Sequence, residues 1–235
     1  MKILALETSA VTASVAVTED EKLLAQSFQN SGLTHSATLM PMVADLLKNT
    51  GLKLEDMDVI AVSAGPGSFT GIRIGVAAAK GLAWPGDKLC APCSTLESMA
   101  WQCAHMDGEI CAVMDARRKQ VYNARFLAHD GKLTRLTEDR AIGVDQLLDE
   151  VKGSGTPQIL VGDGAQLCRA AFESAGMPFV MMPPHLICQT AWGVARSALE
   201  LAKEDKLVPA GQLTPQYHRL SQAERERLER EQKDN

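Results

Sequence analysis

The chain has 235 residues, of which 46% are hydrophobic and 23% charged, and its formal net charge is −5 at pH 7. This is an ordinary globular composition, long enough for one large domain or two small lobes. The acidic balance weighs against a free-standing nucleic-acid-binding protein, because non-specific affinity for phosphate backbones comes mainly from lysine and arginine. No signal peptide opens the chain and no window approaches the length of a membrane span, so we expect a cytoplasmic protein without membrane contact.

The first half of the chain is predicted to open with a strand meander and then to alternate helices and strands. The hydrophobic pattern predicts strands over 2–7, 12–18 and 22–28, a helix over 34–49, a strand over 58–63, a helix over 70–83, a strand near 88–91 and a helix over about 95–105.

The second half repeats the β-β-β-α-β-α order of the first. Its pattern predicts strands over 110–115, 120–127 and 132–137, a helix near 144–150, a strand over 158–161 and a helix near 165–175. We therefore expect an α/β protein with two similar lobes, residues 1–106 and 107–220, of which the second is reduced. A flexible charged tail is predicted over 221–235, where one leucine stands among charged and polar residues.

A glycine-rich turn between strand 58–63 and helix 70–83 is the most distinctive motif. Gly65-Pro66-Gly67 forms the turn, and Ser68 or Thr70 can cap the helix that follows. A strand, a tight glycine turn and a helix N-terminus together resemble a phosphate site. The alternative is a tight connection without a ligand, because the run has neither the Gly-Lys-Ser/Thr ending of a P-loop nor the three-glycine dinucleotide fingerprint.

An acidic residue ends the first strand of each half, Glu7 in one and Asp115 in the other. Two lobes of this kind resemble the actin-like ATPase architecture, in which such acids flank the nucleotide phosphates. The residues after each acid carry side chains where actin-like kinases usually have glycine, and these hinder close backbone approach to a phosphate. We therefore expect no independent ATP hydrolysis. The candidate nucleotide contacts are Glu7, Thr8, Ser9, Gly65, Gly67, Ser68, Asp115, Arg117 and Arg118.

Helices 34–49 and 70–83 are predicted to form a protein interface. The second has small residues at helical spacing, so that another helix can come close, and the first has more apolar surface than one sheet face needs. The alternative is that both helices merely cover their own sheet. The candidate interface residues are Leu39, Met40, Val43, Leu46, Leu47, Gly71, Ile74, Gly75, Ala78 and Leu82.

Three motifs resemble the bacterial TsaB family, and the similarity extends over nearly the whole chain to about residue 220. They are Leu4-Ala5-Leu6-Glu7-Thr8-Ser9, the run from Ala64 to Arg73, and Met114-Asp115-Ala116-Arg117-Arg118 leading to Tyr122. The resemblance implies the actin-like (ASKHA) fold, built from two RNase H-like lobes. It also implies an accessory subunit that works with TsaD and the ATPase TsaE. Together they transfer a threonylcarbamoyl group to the adenosine beside the anticodon of transfer RNAs reading codons that begin with A.

The same resemblance implies where the partners bind. The helix pair would contact TsaD directly and would contact a second copy of this chain in isolation, whereas transfer RNA would be met only through the complex. No cofactor of its own is implied, although ATP or ADP could bind at the junction with TsaD.

No catalytic residue and no metal site is expected. TsaD-like relatives carry a His-x-x-x-His pair after the glycine turn, and Thr95 and Met99 stand at the aligned positions here. Three other functions stay open at this point. They are an actin-like sugar or acetate kinase, a glycoprotease-like metallopeptidase, and a general scaffold unrelated to transfer RNA.

Overall fold

The computed structural model describes residues 1–218, so the predicted tail over 221–235 lies outside the described residues. The strands are β1 (Lys2–Glu7), β2 (Ala13–Glu19), β3 (Lys22–Gln29), β4 (Val59–Gly65), β5 (Leu89–Ser94), β6 (Gly108–Asp115), β7 (Gln120–His129), β8 (Lys132–Arg135), β9 (Arg140–Gly143), β10 (Gln158–Val161), β11 (Phe179–Met181) and β12 (Val208–Pro209). The helices are α1 (His35–Thr50), α2 (Phe69–Ala83), α3 (Thr95–Trp101), α4 (Val144–Lys152), α5 (Ala165–Ser174) and α6 (Ala191–Lys203).

The strands form two sheets of the same topology. The first has the order β12-β5-β4-β1-β2-β3 and the second β11-β10-β6-β7-β8, with β9 paired to β7. In each, the first strand of the lobe is antiparallel to the second and parallel to the strand after the first helix. The predicted duplication is therefore confirmed.

Local chemistry accounts for several element boundaries in the first lobe. The run from Ile3 to Leu6 is fully buried, as expected of a central strand covered on both faces. Ser68 caps α2 by accepting a hydrogen bond from the backbone N–H of Gly71 at 3.2 Å. Gly51 ends α1 in the left-handed conformation at φ 69°.

The layers differ from the expected division into residues 1–106 and 107–220. Helices α1 and α2 cover one face of the first sheet, but its other face is covered by α6, from the far end of the chain. Strand β12 extends the first sheet. Conversely, α3 packs against the second sheet, whose outer face carries α4 and α5. The expected boundary is corrected accordingly, because each sheet borrows a helix from the other half.

The second lobe is the smaller one, as expected. Its outer helices have 9 and 10 residues, against 16 and 15 in the first lobe. Four elements were not predicted, namely β9, β11, α6 and β12. The apolar residues of α6 do recur at helical spacing, so its sequence carried a usable signal. None of the helices in residues 1–218 combines the length and the apolar character that crossing a bilayer requires.

Candidate functional site

A cleft of roughly 460 Å³ opens between the lobes, at the carboxyl ends of the central strands. This is where ligands bind in open α/β sheets. Its walls come from the loop after β1, the glycine turn and first turn of α2, the end of β6 and its hairpin, and the segment at 216–218. The lining residues are Ser9, Ala10, Val11, Pro66, Gly67, Ser68, Phe69, Thr70, Ile72, Met114, Asp115, Ala116, Arg117, Tyr122, Asp163, Gln216, Tyr217 and His218.

Glu7 does not reach this cleft. Its side chain is fully buried, one carboxylate oxygen accepts the backbone N–H of Ser9 at 2.5 Å, and the other accepts the hydroxyl of Ser63. Burial raises the pKa of Glu7, although the hydrogen bonds from Ser63 and Ser9 act in the opposite direction. The expectation that Glu7 contacts a nucleotide is therefore corrected, because its carboxylate is engaged inside the first lobe.

The loop after β1 is bound tightly to the start of α2. Thr8 is fully buried, and its hydroxyl donates to the carbonyl oxygen of Gly71 at 2.8 Å. The N–H of Ser68 donates to the carbonyl oxygen of Ser9 at 2.6 Å. Thr8 thus stabilises the lobe rather than facing a ligand, which corrects its placement among the nucleotide contacts.

The two glycines of the turn lie against the protein's own backbone. A Cβ on Gly65 would overlap the carbonyl oxygen of Gln216, and one on Gly67 would overlap that of Ser9. Gly65 is buried and absent from the cleft wall, whereas Gly67 and Ser68 line it. Backbone packing therefore explains the need for glycine here without a phosphate.

The second-lobe acid differs from Glu7 in being open to the cleft. Asp115 is 36% exposed and accepts the backbone N–H of Arg117 at 2.7 Å. Arg117 and the next two residues, Arg118 and Lys119, all have positive φ, at 67°, 55° and 57°. Each such residue costs on the order of 1 kcal/mol, and backbone strain of this kind concentrates at functional sites. Arg117 lines the cleft, while Arg118 lies beside it in the hairpin.

Asp163 is a cleft residue that the sequence analysis did not select. It follows β10, lines the cleft and accepts the side-chain N–H of Gln189 at 3.0 Å. Its side chain is open to the cleft, yet the cleft walls displace enough water to raise its pKa. The sequence signal for Asp163 was its position directly after β10, the strand that pairs with β6.

The positions aligned with the relatives' histidine pair are part of the core. Thr95 and Met99 are fully buried on α3, and Met99 packs among apolar residues of the second lobe. In the described part of the chain, one group has metal-ligating atoms close together, namely Asp107, His129 and Asp130, all exposed. It lies at the opposite end of β6 from Asp115.

Most of the predicted interface residues face inward. A Cβ on Gly71 would overlap the carbonyl oxygen of Thr8. A Cβ on Gly75 would overlap the hydroxyl of Thr8 and lie 3.1 Å from the side chain of Val62. This corrects the expectation of a bare outer stripe, since these glycines seat α2 against its own sheet. The residues in the lobe's own core are Leu39, Val43, Leu46, Gly71, Gly75 and Leu82.

The remaining candidates lie at the surface. Met40 is 44% exposed, while Leu47, Ile74 and Ala78 are half-buried. Beside them α2 exposes a row of residues at i, i+3, i+7, i+11 and i+14, which we call the outer stripe. The outer stripe consists of Thr70, Arg73, Ala77, Gly81 and Trp84.

The outer stripe has two small residues, Ala77 and Gly81, between the large residues Arg73 and Trp84. A Cβ on Gly81 would meet nothing within 4 Å, and Ala77 is exposed. Trp84 is 74% exposed, the largest value among the exposed large hydrophobic side chains of residues 1–218. Trp84 was not among the predicted interface residues, although the sequence spacing places this tryptophan directly after an amphipathic helix.

Comparison with known structures places this arrangement in a fold family. The chain superposes on an uncharacterized protein with similarity to peptidase YEAZ from Pseudomonas aeruginosa with a TM-score of 0.77 and 23% identity, covering 93% of this chain and 99% of that one. It also superposes on the ROK hexokinase of Thermus thermophilus with a TM-score of 0.50 and 11% identity, over 87% and 100% of the two chains. The predicted actin-like α/β fold is therefore confirmed.

Sequence comparison is more specific. The family model described as TsaD, tRNA N6-adenosine threonylcarbamoyltransferase, matches residues 23–225. The chain is 33% identical over 232 residues to the tRNA threonylcarbamoyladenosine biosynthesis protein TsaB of Bacillus subtilis, covering 97% of this chain and 99% of that protein. With this identity over almost its full length, and with an actin-like fold, the chain belongs to the TsaB family.

Proposed function

We propose that this chain is an accessory subunit that binds and organises the catalytic subunit TsaD, together with TsaE, in the cytoplasm. The complex would place the threonylcarbamoyl group on the adenosine beside the anticodon of transfer RNAs reading codons that begin with A. The curated relative is named for threonylcarbamoyladenosine biosynthesis. The observation that carries the proposal for this chain is the exposed outer stripe of α2.

The outer stripe has the residue types expected of a protein-binding surface. Tryptophan and arginine are enriched among the residues that dominate binding energies, and the stripe contains one of each, Trp84 and Arg73. Between them Ala77 and Gly81 leave room for the backbone of a partner helix to approach. Met40 on α1 is exposed as well and adds a flexible apolar side chain to the surface of the helix pair.

A supporting role fits the condition of the cleft better than catalysis does. The Glu7 carboxylate is held by Ser63 and Ser9, so the first lobe supplies no acid for a metal-bound nucleotide. Met99 places an apolar side chain where a histidine would be needed for the relatives' metal. These two positions also oppose the kinase and metallopeptidase alternatives.

A nucleotide at the junction with TsaD stays a prediction. On this chain Ser68 and Arg117 line the cleft and could offer a hydroxyl and a guanidinium to a phosphate. Three of the predicted contacts, Glu7, Thr8 and Gly65, are engaged within the lobe and do not offer groups to a ligand in the cleft. Partner residues would have to supply the rest.

The proposal is tested by introducing a bulky charge in the middle of the outer stripe. Ala77→Arg should weaken binding to TsaD from the same organism at least about 100-fold, because the long charged side chain would prevent close helix packing. Ala170→Arg is the matched control, since Ala170 is also an exposed helical alanine and lies on α5. Calorimetric titration measures both affinities, and circular dichroism checks that both variants fold.

The same variants should separate in a threonylcarbamoylation assay with TsaD, TsaE and transfer RNA. Wild type and Ala170→Arg should support modification, and Ala77→Arg should not. The apparent mass of the isolated chain should also fall in Ala77→Arg if the same surface forms the self-dimer. Equal binding by Ala77→Arg and wild type would overturn the placement, and ATP hydrolysis by the chain alone would favour the kinase alternative.

A further inference from the structure

We propose that Arg73 is a preoriented receptor for a carboxylate of the docking partner, and that residues 214–218, the C-terminal strap, hold it in position. This inference rests on the proposed function and names the charged contact at one end of the outer stripe. It follows from the contacts that hold the Arg73 side chain and from the guanidinium donors that have no hydrogen-bond partner among residues 1–218.

Three contacts fix the guanidinium of Arg73. Its central carbon lies 3.7 Å from the ring centroid of Phe69 and 5.7 Å from that of Tyr217. Its Nε donates a hydrogen bond to the hydroxyl oxygen of Tyr217 at 2.8 Å. The two rings also contact one another, with centroids 4.9 Å apart. Because arginine binds anions through a planar fork of donors, fixing the plane also fixes the direction of recognition.

Arg73 has no carboxylate within ion-pair distance among residues 1–218, and its terminal nitrogens form no hydrogen bond there. Other arginines of the lobes pair with acids. Arg125 binds Glu109 at 2.5 Å, Arg140 binds Glu150 at 2.5 Å, and Arg169 binds Glu173 at 2.7 Å. An arginine that is oriented by aromatic rings and has no acidic partner within the described part of the chain is suited to bind an acid from another molecule.

The C-terminal strap supplies half of this support. The N–H of Gln216 donates to the carbonyl oxygen of Ala64, at the end of β4, at 2.7 Å. This bond places Tyr217 over the first turn of α2, where Phe69 and Arg73 lie one turn apart. Holding the side chain before binding lowers the entropy that the partner must overcome, and this raises affinity without a new contact.

The neighbouring residues favour a protein carboxylate over a phosphate of RNA. Arg73 lies one helical turn from Ala77 on the outer stripe, so a protein helix that packs on Ala77 and Gly81 passes beside the guanidinium. The surface next to it is small and apolar, and the chain carries a net charge of −5. Both properties disfavour a phosphate backbone.

The test compares Arg73→Met and Tyr217→Phe with Arg169→Met, which removes an arginine already paired on α5. Affinity for TsaD is measured by calorimetry at low and at high salt. Arg73→Met should weaken binding about tenfold or more and remove most of its salt dependence. Tyr217→Phe, which keeps the ring but loses the hydroxyl acceptor, should weaken binding a few-fold. Arg169→Met should bind as wild type does.

The outcomes distinguish this inference from the proposed function. If Ala77→Arg abolishes binding while Arg73→Met binds as tightly as wild type at both salt concentrations, the carboxylate contact is wrong and the docking surface stands. If Ala77→Arg also binds normally, the docking surface itself is wrong. If Arg73→Met weakens binding of transfer RNA to the complex without changing the affinity for TsaD, the anion is a phosphate and the inference is overturned.

Discussion

On the inner side of α2, Gly71 and Gly75 let the helix lie against Thr8 and Val62, whereas on the outer side Ala77 and Gly81 leave space that no atom of residues 1–218 fills. The residue types on the two sides are nearly the same. What distinguishes them is the rest of the lobe, which has already filled one side. Small residues on a helix therefore indicate close approach, but they do not say whether the approaching group is internal or external.

The largest effect is expected when the same comparison of inner and outer sides is made on the neighbouring helix α1, by placing one charge on each side. Leu46 is 5% exposed and lies in the core, while Ala44, two positions earlier, is exposed. Leu46→Asp should cost about 4 kcal/mol or more, because it removes apolar packing and buries a carboxylate. Ala44→Asp should cost about 0.7 kcal/mol, the difference in helix propensity.

Urea unfolding measures both values. Similar losses for the two variants would mean that the inner and outer sides of α1 are not distinct. Loss of TsaD binding by Leu46→Asp carries no information about docking, since the variant tests the fold.

A single methyl group on each side of α2 gives a smaller but more local comparison. Gly71→Ala should destabilise the protein by about 3 kcal/mol, because the new Cβ overlaps the carbonyl oxygen of Thr8 and the backbone must shift. Gly81→Ala should stabilise it by about 0.5 to 1 kcal/mol, because the methyl group enters open space and alanine favours the helix. Thermal unfolding of the two variants provides the measurement, and a shift in the same direction for both would contradict it.

The smallest expected effect concerns Glu7, the buried acid at the end of β1, and this effect depends on pH. Burial raises the pKa of Glu7 in the folded state. The folded protein therefore favours the protonated acid, and this contribution to stability is complete below the pKa of the unfolded chain, about 4.3. It is lost as the pH rises through the raised pKa of the folded state.

Glu7→Gln removes the ionisable carboxyl group of Glu7 while keeping the shape of the side chain. The variant should gain melting temperature relative to wild type as the pH increases from 4 to 8, with Glu173→Gln, an exposed glutamate on α5, as the control. A difference between variant and wild type that stays constant with pH would show that the pKa of Glu7 is the same in the folded and unfolded states.

The parts of the fold that could be predicted are those encoded locally. The apolar run from Ile3 to Leu6 and the glycine turn after β4 identified strand and helix positions, and the repeated order identified two lobes. The parts that could not be predicted depend on residues far apart in the chain. Glu7 turns inward because Ser63, 56 positions later, offers it a hydroxyl.

The same limit applies to the candidate site. The support of Arg73 comes from Tyr217, which is 144 positions away. The sequence therefore located the helix pair and the turn within the fold, but not which of their side chains face outward.

The exchange of α3 and α6 between the lobes has a consequence for synthesis of the protein. The inner face of the first sheet, formed by residues such as Ile3, Ala5 and Ala61, is covered by α6, which ends at Lys203. During synthesis on the ribosome, this apolar surface therefore stays uncovered until nearly the entire polypeptide has emerged. Neither half could be expressed as an independent fragment without leaving a hydrophobic sheet open to water, and we expect the nascent chain to need chaperone protection until α6 is made.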